Sequence, residues 1–162
     1  MTERYVALLR AISNVSMVPF RRAMEELGFE DVQSFGMSGN LIFTTPETAA
    51  AELELRIGAH LDKVVMIRTA KEMRTIAAAD PFPESGAVLL LKAPPPAAAR
   101  HAFSALDIVD PRPVLKGKTV YFLHPVTVTG RKAPVDLEAA LGKGTMRSSN
   151  VVRRIAERMA GD

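Results

Sequence analysis

The chain has 162 residues, no cysteine and a net charge of +3. A chain of this length buries roughly 68–70% of its unfolded surface, so it can fold as one ordinary domain, or as two very small ones, without covalent cross-links. The absence of cysteine excludes disulfides, thiolate-bound zinc, iron–sulfur clusters and a cysteine nucleophile.

The N-terminal residues lead straight into a short apolar run that Arg10 interrupts. Because this run is not a long apolar segment and no small-residue cleavage site follows it, we expect no signal peptide. The longest purely apolar run covers residues 87–91, which is far too short to span a membrane. We therefore expect a cytoplasmic protein that makes no membrane contact.

Hydrophobic periodicity and turn residues predict the elements in chain order. In the first half these are a strand at 4–12, a helix at 17–28, strands at 31–37 and 40–45, a helix at 46–61, a strand at 63–69 and a short helix at 71–79. In the second half they are a strand at 86–93, a helix at 95–106, strands at 113–118 and 119–124, a helix at 134–142, a strand at 144–147 and a helix at 149–160. Thr45 and Pro46 suit the cap and first turn of the second helix, and Gly28 suits the end of the first.

The two halves repeat one another. The segment 40–46 matches 119–125 at an offset of 79 residues, and the same offset relates two helical stripes. The first strands, 6–11 and 88–93, match at an offset of 82, which needs only a three-residue difference in one loop. Four matches in the same order indicate a tandem duplication.

The element order strand-helix-strand-strand-helix-strand, used twice, predicts an α+β fold built from two ferredoxin-like β-α-β-β-α-β units. Each unit is expected to have an antiparallel sheet covered by helices. We place the first half, with its extra helix, at 1–80 and the second half, with the C-terminal helix, at 81–162. Phe43 and Phe122 should occupy equivalent buried positions.

This topology predicts a polar edge in the first half. The loop after the first strand and the hairpin between the second and third strands emerge at the same end of the sheet. That end brings together a cation, hydroxyls, amides and a glycine, a mixture that suits a small polar or anionic ligand. The residues are Arg10, Ser13, Asn14, Ser38, Gly39 and Asn40. Two other interpretations stay open: Ser-Gly-Asn is also what a tight hairpin requires, and Arg10 can simply pair with a carboxylate.

Basic residues are concentrated in the second half. Residues 1–80 have a net charge of −2, residues 81–140 of +2 and residues 141–162 of +3. The second-half edge contains Lys92, Lys116, Gly117 and Lys118. Such charge indicates either an anionic partner, nucleic acid included, or merely a solvated surface. We find no aromatic residue accompanying the arginines of the last helix, so we expect any nucleic-acid binding to be weak.

Signatures of catalysis and metal binding are missing. Gly36-Met37-Ser38-Gly39-Asn40 lacks the last glycine of a nucleophile elbow, and Gly142-Lys143-Gly144-Thr145 does not complete a phosphate loop. The three histidines have no ligand spacing, so we expect neither a metal nor a cofactor. No motif in the sequence establishes an activity.

Several of these segments resemble the bacterial domain-of-unknown-function family 1697 (DUF1697). The resemblance rests on Leu8-Leu9-Arg10, on Leu27-Gly28-Phe29, and on Ser38-Gly39-Asn40 with Phe43. It extends to Thr145-Met146-Arg147-Ser148-Ser149, which corresponds to the family's Thr-x-Arg-Asn-Trp segment before the last helix. Two departures are the short first loop, Ala11 to Ser16, and the replacement of Asn-Trp by Ser148-Ser149. The resemblance implies the fold more than an activity, because the family has no settled one.

Three functional hypotheses follow. The first is a polar or anionic small-ligand-binding protein, with Arg10, Asn14, Ser38, Gly39, Asn40, Thr145 and Arg147 as candidate binding residues. The second is weak nucleic-acid binding through the basic second half. The third is an enzyme on a phosphorylated or carboxylated metabolite, with Arg10 and Arg147 holding the anion, for which the sequence supplies no identifiable general base.

Overall fold

The computed structural model describes residues 1–12, 15–36 and 38–161. The chain folds into two compact units. The first unit comprises Met1–Ala78 and the chain from Arg153 onward, and the second comprises Ala79–Val152. Each unit is described by itself below.

The first unit contains a four-stranded antiparallel sheet with the strand order β2-β3-β1-β4. Its elements are β1 (Thr2–Leu9), α1 (Val18–Glu26), β2 (Glu30–Ser34), β3 (Asn40–Pro46), α2 (Ala50–Leu61), β4 (Val65–Thr69) and α3 (Ala70–Ala78). Because β3 pairs antiparallel with both β1 and β2, the first two strands run parallel, as predicted. This arrangement brings the end of β1 and the β2–β3 hairpin to the same end of the sheet.

An aromatic cluster lies at the centre of the first core. Phe43 is fully buried, with its ring centroid 5.6 Å from that of Tyr5 and 4.6 Å from that of Phe29. Leu53 and Ile57 of α2 belong to the same core, so one face of that helix is buried. Burial of aromatic and branched side chains contributes most of the stabilisation here, roughly 1.5–3 kcal/mol for each fully buried side chain.

The second unit has the same design. Its elements are β5 (Ala87–Leu91), α4 (Ala97–Ser104), β6 (Val114–Lys116), β7 (Thr119–Phe122), α5 (Leu137–Leu141), β8 (Gly144–Ser148) and the first residues of α6 (Ser149–Ala160). The strand order, β6-β7-β5-β8, corresponds to that of the first unit strand for strand. Its own core includes Leu89, Phe103, Val120 and Phe122.

Strand register confirms the predicted duplication. Phe43 pairs with the first strand of its unit at a position equivalent to that of Phe122, and the two side chains are 0% and 2% exposed. The equivalent register pairs are Tyr5–Phe43 with Ala87–Phe122, and Val6–Arg68 with Val88–Arg147. The offsets of 82 and 79 residues therefore hold across both sheets, and the chain is an α+β protein of two similar sheet-and-helix units.

The predicted start of the second helix is wrong. Thr45 and Pro46 extend β3, where Pro46 pairs with Thr2, and α2 begins only at Ala50. Pairing with the first strand determines the conformation here, because the ladder continues to the very start of β1. Local cap preferences are overridden by that long-range pairing. The end of α1 does follow the prediction, because Gly28 adopts a φ of +89° just beyond the helix.

One apolar face of the last helix is buried. Val152, Ile155, Ala156 and Met159 are between 0% and 8% exposed. Within the described ranges, no helix has both the length and the hydropathy needed to cross a membrane.

Candidate functional site

The β2–β3 hairpin and the end of β1 are joined by a backbone hydrogen bond. The Leu9 amide donates to the Gly39 carbonyl oxygen, with an N···O distance of 2.8 Å. Gly39 has a φ of +83°, and a Cβ at this position would lie 3.0 Å from Leu9 Cβ and from Ile12 Cγ1. Both the left-handed backbone and the close packing therefore require glycine here.

Asn40 has a structural role in the hairpin. Its side chain is fully buried, and its Nδ2 donates to the Phe35 carbonyl oxygen at 2.8 Å and to Ser38 Oγ at 3.1 Å. Both amide protons are therefore directed into the turn itself. The geometry agrees with the interpretation that Ser-Gly-Asn serves the hairpin.

Arg10 lies at the same edge and is half-buried. Its amide donates to the Val64 carbonyl oxygen at 3.0 Å, which fixes the end of β1 against the residues just before β4. Lys63 is the neighbour of Val64, so a second cationic residue lies at this edge. Asn14, the remaining candidate from the first loop, lies outside the described residues, as does Ser13.

A cleft of about 380 Å³ opens between the first loop and α1. We call it the first-unit cleft. It is lined by Ala11, Ile12, Val15, Ser16, Pro19, Phe20 and Lys63. Its walls are mostly apolar, with a hydroxyl and an ammonium group at the margin, a composition typical of small-ligand sites.

Sequence reasoning missed Lys63, although a signal was available. Once β4 is placed antiparallel to β1, the residues just before β4 must lie beside the end of β1, and Leu9 indeed pairs with Val65. The order of strands in a β-α-β-β-α-β unit therefore points to Lys63 as a neighbour of Arg10.

The second unit repeats this edge with lysines. The Leu91 amide donates to the Lys118 carbonyl oxygen, and the Lys92 amide donates to the Lys143 carbonyl oxygen, both at 2.9 Å. These two bonds are the counterparts of those from Leu9 and Arg10. Together with the hairpin residue Lys116 they bring four lysines to one end of the second sheet. We call this group, Lys92, Lys116, Lys118 and Lys143, the lysine edge.

Thr145 and Arg147 belong to β8 of the second unit and are both buried. Arg147 Nη1 donates to Thr145 Oγ1 at 2.6 Å and to the Met146 carbonyl oxygen at 2.9 Å. Burial lowers the pKa of the Arg147 guanidinium to about 10, so the group still carries its charge at neutral pH. The candidate residues are therefore divided between the units: Arg10 and the hairpin in one, Thr145 and Arg147 in the other.

Arg68 occupies the position in β4 that corresponds to Arg147 in β8 and is 1% exposed. Its Nη1 donates to the Ile67 carbonyl oxygen at 3.0 Å. Burial lowers the pKa of Arg68, and the carboxylates of Glu72 and Glu54 oppose that shift. A buried arginine on the fourth strand is thus a shared feature of the two units.

No metal centre is formed by the part of the chain that the structure describes: its His, Asp and Glu side chains make no group of three that could hold an ion. The candidate residues described above include cationic side chains at one edge of each sheet: Arg10 and Lys63 in the first unit, and the lysine edge in the second.

Comparison with known proteins also supports the α+β fold. The family model "Protein of unknown function (DUF1697)" matches residues 1–121. The chain belongs to this family.

Among solved structures, the chain is similar to the conserved bacterial protein SP0830 from Streptococcus pneumoniae. The TM-score is 0.71 at 16% sequence identity, over 99% of this chain and 100% of that one. Such a likeness shows the fold. No curated protein matches the chain.

Proposed function

We propose that the protein binds a small anionic ligand at the first-unit cleft. The observation that supports this most directly is the pair of backbone hydrogen bonds from Leu9 and Arg10, which join the hairpin, the end of β1 and the start of β4. Lys63 lines this largely apolar cleft, and Arg10 immediately precedes the lining residue Ala11 in the chain.

The size and chemistry of the cleft favour a small ligand. A volume of about 380 Å³ lies near the lower end of the roughly 300–1,000 Å³ of ligand pockets. Arginine presents a planar fork that matches a carboxylate or phosphate, and lysine adds a point charge. Apolar contacts from Ile12 and Phe20 would hold the body of the ligand while the cations hold its charged end.

A thermal-shift screen tests this proposal. Phosphorylated metabolites, di- and tricarboxylates and mononucleotides are each added at two salt concentrations. A ligand at a hundred times its Kd stabilises the folded state by about 2.7 kcal/mol, which is a clear rise in Tm. The proposal predicts at least one small anion whose effect is reduced, but not abolished, between 50 and 200 mM salt.

The outcome has a matched control because the fold is duplicated. Arg10→Gln should weaken binding of that anion at least about tenfold, the loss expected for one charge-assisted hydrogen bond. Lys92→Gln changes the equivalent residue of the second unit and should leave the affinity within about twofold. Equal losses in the two variants would assign the effect to overall charge and reject the site.

The lysine edge supports a second candidate, weak binding of a nucleic-acid backbone. Four lysines at one end of a sheet resemble an electrostatic footprint for phosphates. If they contact phosphates, gel-shift affinity should fall steeply from 50 to 200 mM salt, and Lys116→Gln with Lys118→Gln should reduce the salt dependence. Binding that is insensitive to salt would exclude this candidate.

The strand order, the composition and the similarity to a conserved bacterial protein support three further assignments. The order β2-β3-β1-β4 is that of a ferredoxin-like unit, so we assign both units to that class. The cysteine-free sequence is compatible with a reducing compartment, and we propose that this is the cytoplasm of a bacterium.

A further inference from the structure

A second cationic site lies within the first unit, at the end of β2. The guanidinium carbons of Arg154 and Arg158 are 5.1 and 5.4 Å from the centroid of the Phe35 ring. The two arginines are one helical turn apart on α6, so their side chains extend from the same face. Cations at this distance from an aromatic ring are attracted to it. We call these three residues the arginine–phenylalanine site.

Among the described residues, which end at residue 161, no carboxylate neutralises these two guanidinium groups. In the described part of the chain neither Arg154 nor Arg158 forms an ion pair, although both are exposed. The nearby carboxylate of Glu157 faces Arg153, whose Nε lies 3.8 Å from Glu157 Oε1. Arg158 Nη1 donates instead to the neutral Gln33 Oε1 at 3.0 Å.

Two like charges one turn apart on a helix normally destabilise it. Here the Phe35 ring holds them side by side, which is the arrangement that a doubly charged anion would stabilise. Stacking on the ring also uses the faces of the guanidinium planes and leaves N–H edges available for hydrogen bonds.

The end of α6 would ordinarily repel an anion, because its last carbonyls carry partial negative charge. Arg4 offsets this charge: its Nη1 donates to the Met159 carbonyl oxygen at 3.1 Å and also to the Gly161 carbonyl oxygen. A cleft of about 350 Å³ lies beside this end of the helix. Its lining consists of Phe35, Arg154, Glu157, Arg158 and Gly161.

We propose that the arginine–phenylalanine site binds a phosphate monoester. A phosphate monoester carries about −1.5 to −2 charges at neutral pH, which matches two guanidinium groups, and its three terminal oxygens accept from both forks. The volume of the cleft leaves room for a group attached to the phosphate. Nucleic acid fits less well, because Phe35 is the single aromatic residue in the lining of this cleft and its ring already contacts two guanidinium groups.

The proposal is independent of the first-unit cleft, and its test is designed to keep the two apart. Isothermal titration is performed on the full chain carrying Arg10→Gln and Lys63→Gln, which removes the two cations proposed to bind an anion at the first-unit cleft. The probes are inorganic phosphate and phenyl phosphate, and they distinguish a free phosphate from a phosphorylated organic molecule as the source of the anion. Saturable one-to-one binding is expected for both, and tighter binding for the ester.

Variants of the helix then locate the binding. Arg154→Gln and Arg158→Gln should each weaken the affinity for phenyl phosphate at least about tenfold, whereas Arg153→Gln should leave it within about twofold. Phe35→Leu should weaken it severalfold, because the ring no longer holds the guanidinium groups together. The exposed helix positions should tolerate these changes without loss of fold.

Three outcomes would overturn the proposal. One is the absence of saturable binding of either probe up to about 10 mM. Another is an equal loss of affinity in Arg153→Gln, which would indicate diffuse attraction by the helix. The last is that a single-stranded oligonucleotide binds more tightly than phenyl phosphate at the same phosphate concentration, and that Arg154→Gln and Arg158→Gln weaken its binding equally. That result would indicate nucleic acid as the partner.

Discussion

Replacing Asn40 by alanine tests whether this residue supports the hairpin. The change removes the hydrogen bonds from Nδ2 to the Phe35 carbonyl oxygen and to Ser38 Oγ, at a position that is fully buried. A buried hydrogen bond contributes about 1 kcal/mol net, and a carbonyl left without that partner adds a desolvation cost of about 1–3 kcal/mol. We therefore expect Asn40→Ala to lower the free energy of unfolding by about 2–4 kcal/mol.

Urea denaturation measures this directly. The midpoint should fall while the m-value stays constant, because the change affects stability and not compactness. Ser38→Ala provides the control, since it removes only the acceptor of the longer hydrogen bond and should cost about 1 kcal/mol or less. A double-mutant cycle should give a coupling of about 0.5–1 kcal/mol between the two side chains. A loss below about 0.5 kcal/mol for Asn40→Ala would refute the structural role.

Two further predictions concern conformation and pH. Gly39→Ala should destabilise the protein by more than Gly28→Ala. Both positions have a positive φ, but only at Gly39 would the new Cβ lie 3.0 Å from other side-chain atoms. The midpoints of urea denaturation of the two variants test this. Burial, with a smaller contribution from Asp80, raises the pKa of Tyr121 to about 12, above the usual 10 of an unfolded chain. Tyr121 therefore contributes stability that is complete below pH 10 and is lost as the pH rises through 12. Tyr121→Phe lacks this loss. The free energy of unfolding of the wild type should therefore fall relative to that of the variant between pH 9 and 12. A constant difference in the free energy of unfolding would contradict the raised pKa.

The elements and the duplication were predictable because they depend on local patterns. Apolar periodicity located every strand and helix, and the offset of 79 residues correctly paired Phe43 with Phe122. The exact start of α2 was not predictable, because Pro46 is held in β3 by its pairing with Thr2, a contact across 44 residues.

The sites were harder to predict for the same reason. The hairpin motif at 38–40 was recognised, but only the structure shows that Asn40 Nδ2 donates hydrogen bonds to Phe35 and Ser38 within the turn. No local sequence pattern distinguishes Lys63, and its position near Arg10 depends on the pairing of β4 with β1. The expectation that no aromatic accompanies the arginines of the last helix is wrong, because Phe35 lies more than a hundred residues away in sequence and no local pattern connects it to Arg154.

Amide chemical-shift mapping tests the central claim, anion binding at the first-unit cleft, most directly. Labelled protein is titrated with the small anion that gives the largest stabilisation in the thermal-shift screen. The account predicts that the amides of Arg10, Ile12, Gly39 and Lys63 shift in a saturable manner, while those of Lys92 and Lys118 at the equivalent edge do not. Saturable shifts confined to the lysine edge, or shifts spread evenly over both units, would contradict it.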